Sequence, residues 1–147
     1  MLDASGRPYT LLHHAAARTA EEAAAARGTP LSMGGKTVLM MVERLGPVLV
    51  VVGSDRRIDG KRLRKGLGVQ RYRFATDDEL LATTGLRSGE VPAFGRPCFD
   101  ALLVVGEDLL EREELVFAAA SAAASVCMRT ADWRAVAAPR VLPSFTE

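Results

Sequence analysis

The chain has 147 residues, 48% of them hydrophobic, and a net charge of +1. That length suits one compact domain with a real core and is short for two, so residues 1–147 are read as a single domain. The opening MLDASGRPYTLLHH lacks the basic start and unbroken apolar stretch of a signal peptide, and no apolar run reaches the roughly 18 residues of a membrane span, so a soluble cytoplasmic protein without a membrane partner is expected.

Thr19-Ala-Glu-Glu22 has the pattern in which a hydroxyl and a carboxylate satisfy the free N–H groups of a helix start, and Gly28 with Pro30 supplies a stop. These signals predict a helix over about residues 20–27. Next, TVLMMVER and PVLVVVGS are apolar and Val-rich, and Leu45-Gly46-Pro47 separates them, which reads as two strands and a tight turn. Lys36, behind Gly34 and Gly35, therefore stands at a strand entrance.

From Arg56 to Arg73 eight basic residues face one acid, Asp59, so the segment carries +7 and the remainder −6. A helix over 60–67 turns Leu63 and Leu67 one way and gathers Lys61, Arg64 and Lys65 into a cationic ridge fit for phosphates. Thr76-Asp-Asp-Glu79 opens another helix that ends near Gly85. Residues 85–97, GLRSGEVPAFGRP, hold three glycines and two prolines and form a loop, after which FDALLVV from Phe99 reads as a strand.

Glu114 to Met128, ELVFAAASAAASVCM, is undecided: its alanines favour helix, whereas Leu115-Val116-Phe117 and Val126-Cys127 favour strand. Cys98 and Cys127 form no CxxC pair and read as buried, reduced thiols, and with two His in all no metal site is expected. There is no GxGxxG after a strand, Walker loop, nucleophile elbow or internal repeat.

In order, these landmarks resemble the YbaK and prolyl-tRNA editing family of aminoacyl-tRNA deacylases. His14 followed by AEEAAAARGTPLSMGGKTVLM is similar to that family's histidine, helix and RGTPL-x-x-GAK-strand signature, which places the functional lysine at Lys36. The stretch from Gly53 to Gly95 resembles the family's run from a basic helix into a TG-x-x-x-G-x-V-P-P-F-G loop, and Asp100 matches an aspartate that begins the next strand. The likeness covers residues 8–136.

It implies an α+β fold: a mixed, largely antiparallel sheet curled into a partial barrel with short helices around it. It also implies hydrolysis of the ester of a mischarged aminoacyl-tRNA without a cofactor. The acceptor end of tRNA is the expected partner, with an aminoacyl-tRNA synthetase as a second. The implied site has Lys36 as the catalytic cation, with His14, Gly89, Val91, Pro92, Phe94, Gly95, Asp100 and Ser125 around the substrate. His14 takes a structural or pocket role rather than base chemistry, and Lys61, Arg64 and Lys65 guide phosphates. An ammonium at a glycine-lined strand mouth steadies charge on an attacked carbonyl or holds the terminal phosphate, and loop N–H groups from Gly89 to Gly95 add donors.

Departures from the pattern fall at four alanines. Ala93 replaces a proline that would stiffen the loop, and Ala118, Ala120 and Ala122 replace Asn, Gly and His in a segment resembling FNAG-s-h-x-x-S-I-x-M. Ala120 is a poor substitute if that glycine needs positive φ. Two readings follow: an editing hydrolase whose smoother, alanine-lined pocket accepts a different aminoacyl group, bulkier or more apolar, or a non-catalytic module that binds tRNA or a synthetase. A hydrolase of small esters unrelated to tRNA would leave the +7 segment without a role.

Overall fold

The computed structural model describes residues 2–17 and 19–147. Its elements run α1 (Leu2–Ser5), β1 (Thr10–His13), α2 (Ala20–Arg27), β2 (Gly35–Val42), β3 (Gly46–Gly53), α3 (Gly60–Leu67), β4 (Tyr72–Phe74), α4 (Asp77–Thr84), β5 (Leu102–Gly106), β6 (Glu114–Ala118), β7 (Ala124–Arg129), α5 (Thr130–Ala137) and β8 (Arg140–Leu142).

Five strands form one sheet in the order β4-β2-β3-β5-β8, and three form another in the order β1-β7-β6. The β2–β3, β2–β4, β1–β7 and β6–β7 pairs are antiparallel, while β3–β5 and β5–β8 are parallel. A bridge between Gly34 and Val116 joins the sheets, so they curl together without closing into a barrel. This is the mixed, largely antiparallel α+β architecture expected.

The run VLVVV in β3 is apolar at every position because both faces of the large sheet are covered. Leu49 and Val51 join Leu39, Leu115, Phe117 and Trp133 in the core toward the small sheet. Val48, Val50 and Val52 join Met40, Leu63, Leu67 and Phe145 beneath α3. One strand thus supplies both cores by the alternation of its side chains.

The helix ends follow the sequence signals. The Thr19 hydroxyl accepts from the Glu22 N–H, Thr76 and Glu79 form a complete capping box, and Gly28 and Gly85 close their helices at φ +71° and +73°. Asp59 caps α3 through the N–H groups of Lys61 and Arg62.

The undecided segment is a hairpin. Leu115, Val116 and Phe117 are buried and pair with Met128, Cys127 and Val126, and the alanines and Ser121 form the turn. Two expectations need correction. The strand after the glycine loop starts at Leu102 rather than Phe99, because residues 96–101 are turn and bend. Cys98, on that turn, is exposed, and Cys127 is only half-buried. Burial is the first cause that pushes the Cys127 thiol up, with Glu114 adding and Arg27 opposing, so it stays protonated at neutral pH. No helix of the described residues is long and apolar enough to cross a membrane.

Candidate functional site

A pocket of about 160 Å³ lies between α2, the entrance of β2, residues 88–91 and the β6–β7 hairpin. The two glycines before Lys36 sit where any side chain would have to displace a neighbour. A Cβ on Gly34 would come within 2.6 Å of the Ser54 Oγ, and one on Gly35 within 2.8 Å of Leu115 Cδ1. Arg112 braces the same turn. Its guanidinium donates to the carbonyls of Ser32 and Gly34 and to Asp55 Oδ1, the last at 2.6 Å. It passes directly over Gly53, where a Cβ would collide with it. Burial pushes the Asp55 carboxyl up, but the Arg112 hydrogen bond prevails and holds its pKa below the usual value.

Lys36 leaves this braced turn at the rim of the pocket, exposed, and makes no ion pair among the described residues. β4 pairs with β2 only at Met40–Val42, so no strand of β4 covers the Lys36–Val38 stretch that borders the pocket. Beside it, Thr37 borders the pocket, and its hydroxyl is buried with no hydrogen-bond partner among the described residues. An unpaired buried hydroxyl is costly unless a bound group completes it.

Across the pocket a polar chain sets the wall. His14 Nδ1 is 2.8 Å from the Ala15 carbonyl and Nε2 is 2.9 Å from the Ser125 hydroxyl. Arg27 Nη1 donates to the same hydroxyl at 3.2 Å, and its Nε donates to Thr29. A neutral ring with its proton on Nδ1 completes every bond: Nδ1–H donates to Ala15, Ser125 donates to Nε2, and Ser125 accepts from Arg27. Burial lowers the Arg27 pKa, yet a guanidinium starts high enough to remain charged. The hairpin turn is tied to the chain after β1 through His14 N–H to Ala123 O and Ala17 N–H to Ala122 O, at 3.0 and 2.9 Å. Ala118 and Ala122 line the pocket, and Ala120 is held at φ +62°, the left-handed region that a glycine would take without strain.

Of the residues expected at the site, His14, Lys36, Gly89, Val91 and Ser125 border the pocket. The rest do not. Phe94 and Gly95 are buried in the core, where Phe94 meets Phe117 edge-on at 5.5 Å and a Cβ on Gly95 would strike the Ala101 carbonyl. Pro92 lies outside the lining, and the Phe94 N–H is spent on the Pro92 carbonyl at 2.9 Å. Asp100 is exposed and pairs with Arg96 at 3.0 Å, away from the pocket. The donor loop therefore divides: its first half faces the pocket and its second half is an anchor. Ala93, fully buried, accepts from Trp133 Nε1 at 2.8 Å, a bond that holds the loop where a proline was missed.

Lys61 and Lys65 are exposed on α3, and Arg64 lies over the Tyr72 ring. Sequence reasoning missed Arg27, Thr37 and Ser88 as pocket residues. Arg27 opens the RGTPLSMGGK stretch, Thr37 follows it, and Ser88 precedes Gly89, so their neighbourhood was the available signal.

Residues 14–136 match the model of the aminoacyl-tRNA editing domain. Over 97% of its length the chain is 29% identical to the multifunctional Ser/Thr-tRNA deacylase ProXp-y of Escherichia coli strain K12, of which it spans 87%. It is 34% identical over 91 residues to the proline–tRNA ligase of Aquifex aeolicus, a match that takes in 62% of this chain and only 16% of the ligase. A crystal structure of a hypothetical protein superposes with a TM-score of 0.87 at 26% identity, covering 99% of this chain and 96% of the other. A candidate trans-editing enzyme for prolyl tRNA synthetase superposes with a TM-score of 0.79 at 26% identity, covering 92% and 87%. With most of its length matched by that model, the chain belongs to the aminoacyl-tRNA editing domain family.

Proposed function

We infer that this chain is an aminoacyl-tRNA deacylase that hydrolyses the ester of a mischarged tRNA in the cytoplasm. The observation that carries the reading is the exposed Lys36 ammonium on a braced turn at the pocket rim. Water adds to the ester carbonyl, negative charge gathers on its oxygen, and the ribose oxygen departs with a proton to leave free amino acid and intact tRNA. Lys36 stabilises that charge or the terminal phosphate, the backbone near Gly89 and Val91 supplies further contacts, and His14 with Ser125 shapes the wall. Pro92, Phe94 and Gly95 act through the loop they anchor. Lys61, Arg64 and Lys65 guide the tRNA phosphates, with a synthetase as a further partner.

Synthetase pockets separate ligands that differ by one methylene by only about 1–3 kcal/mol, which creates the need for a second sieve. The pocket volume near 160 Å³ compares with the roughly 150 Å³ cavity that holds one benzene. Because the amine and ester of the aminoacyl group must share this space, the pocket suits a side chain smaller than a benzene ring. The test is a deacylation panel of mischarged and correctly charged tRNAs. Hydrolysis of small aminoacyl groups with large aromatic ones spared is expected. If every charged tRNA stays intact while salt-sensitive tRNA binding persists, the chain is a binding module and the hydrolase reading fails.

A further inference from the structure

Phe74 is 59% exposed, the most open large hydrophobic side chain among the described residues, and it lies on the edge strand β4. Its surroundings are specific. In the antiparallel register Phe74 faces Met40 and Tyr72 faces Val42, and both β2 residues belong to the core beneath α3. Directly paired residues share a sheet face, so both aromatic rings stand on the α3 side. Tyr72 meets Phe74 edge-on with centroids 6.4 Å apart, and the Arg64 guanidinium lies 5.8 Å from the Tyr72 centroid. Lys36 is on the same strand as Met40 with the same alternation, roughly 14 Å away at about 3.4 Å per residue. An aromatic face thus stands between the cations of α3 and the catalytic mouth.

We propose that Phe74 is the stacking platform for an unpaired nucleotide of the RNA whose ester enters the pocket, making it a positioning residue for deacylation. This rests on the aminoacyl-tRNA reading above. An exposed phenyl ring offers every base a face without demanding a sequence, and neighbouring cations track the phosphates. The segment Arg56–Arg73, at +7, supplies the charge complement on this side. The span from Phe74 to Lys36 is covered by about four stacked nucleotides at about 3.4 Å each, and by fewer if the strand is extended. The flanking Arg73 is bound to Glu79 through two hydrogen bonds of 2.7 and 2.8 Å, which fixes the strand that presents the ring.

Trp133 is the chain's one tryptophan and is fully buried, so Phe74→Trp adds a single exposed reporter. Phe74→Trp, Phe74→Leu and Phe74→Ala are titrated with an unstructured RNA oligonucleotide and assayed on charged tRNA. Phe74→Trp is expected to bind as tightly as the parent with quenched emission. Phe74→Leu and Phe74→Ala are expected to weaken RNA binding and raise KM about tenfold, with kcat little changed. Parent-like KM in Phe74→Leu, with deacylation intact, overturns the stacking role and leaves the deacylase reading standing. Loss of self-association in Phe74→Ala with unchanged RNA binding also overturns it, by assigning the ring to a second copy. If the parent protein neither binds RNA nor deacylates any tRNA, both readings fail.

Discussion

Residues 31–36 and residues 118–125 both border the pocket, and different forces hold them. The first segment is pinned by one guanidinium that joins two backbone carbonyls and a carboxylate, and it passes so close to Ser54 and Leu115 that a side chain at 34 or 35 would have to displace them. The second is a hairpin turn of alanines held by backbone bonds to the chain after β1, with one alanine in the left-handed region. A charge that must meet a developing charge needs its position over-determined, since small misplacement removes its effect. A wall that sorts side chains needs chiefly the right volume, and exchange among small residues retunes it without moving the cation.

The largest loss of stability is expected from removing the brace. Arg112→Ala deletes charge-assisted bonds and leaves Asp55 without its partner, and it is expected to lower unfolding stability by about 2 kcal/mol in urea titration. Deacylation should fall while RNA affinity stays near the parent's. Parent-like stability and rate would show that the glycine packing alone holds Lys36.

A smaller effect, of opposite sign, is expected at the hairpin wall. Ala120→Gly relieves a left-handed alanine at the cost of a looser unfolded chain, for a net gain of about 0.5–1 kcal/mol. The same urea titration reads it, and a loss of stability would mean that the turn is not strained there.

The sequence made the first wall legible and the second not. Capping residues announced α2 and α4, and continuous Val-rich runs announced β2 and β3, because those signals act within a few residues. The β6–β7 hairpin depends on pairing between Leu115 and Met128 and on burial of Phe117, contacts that local propensity does not contain, while the intervening alanines argued for helix. The short strands β1, β4 and β8 exist through their partners and left no pattern. Within the site, Lys36 was readable from its motif, whereas the motif did not separate Val91, which borders the pocket, from Phe94, which anchors the loop. Arg27 was overlooked because a cation in the last turn of a helix already has an ordinary explanation.

Single-turnover deacylation of a small-side-chain mischarged tRNA by the parent and by Lys36→Ala tests the role of the Lys36 ammonium. With folding confirmed by an unchanged urea midpoint, the rate is expected to fall about a hundredfold or more. A folded Lys36→Ala protein that hydrolyses its substrate at the parent rate would mean that the ammonium takes no part in the reaction.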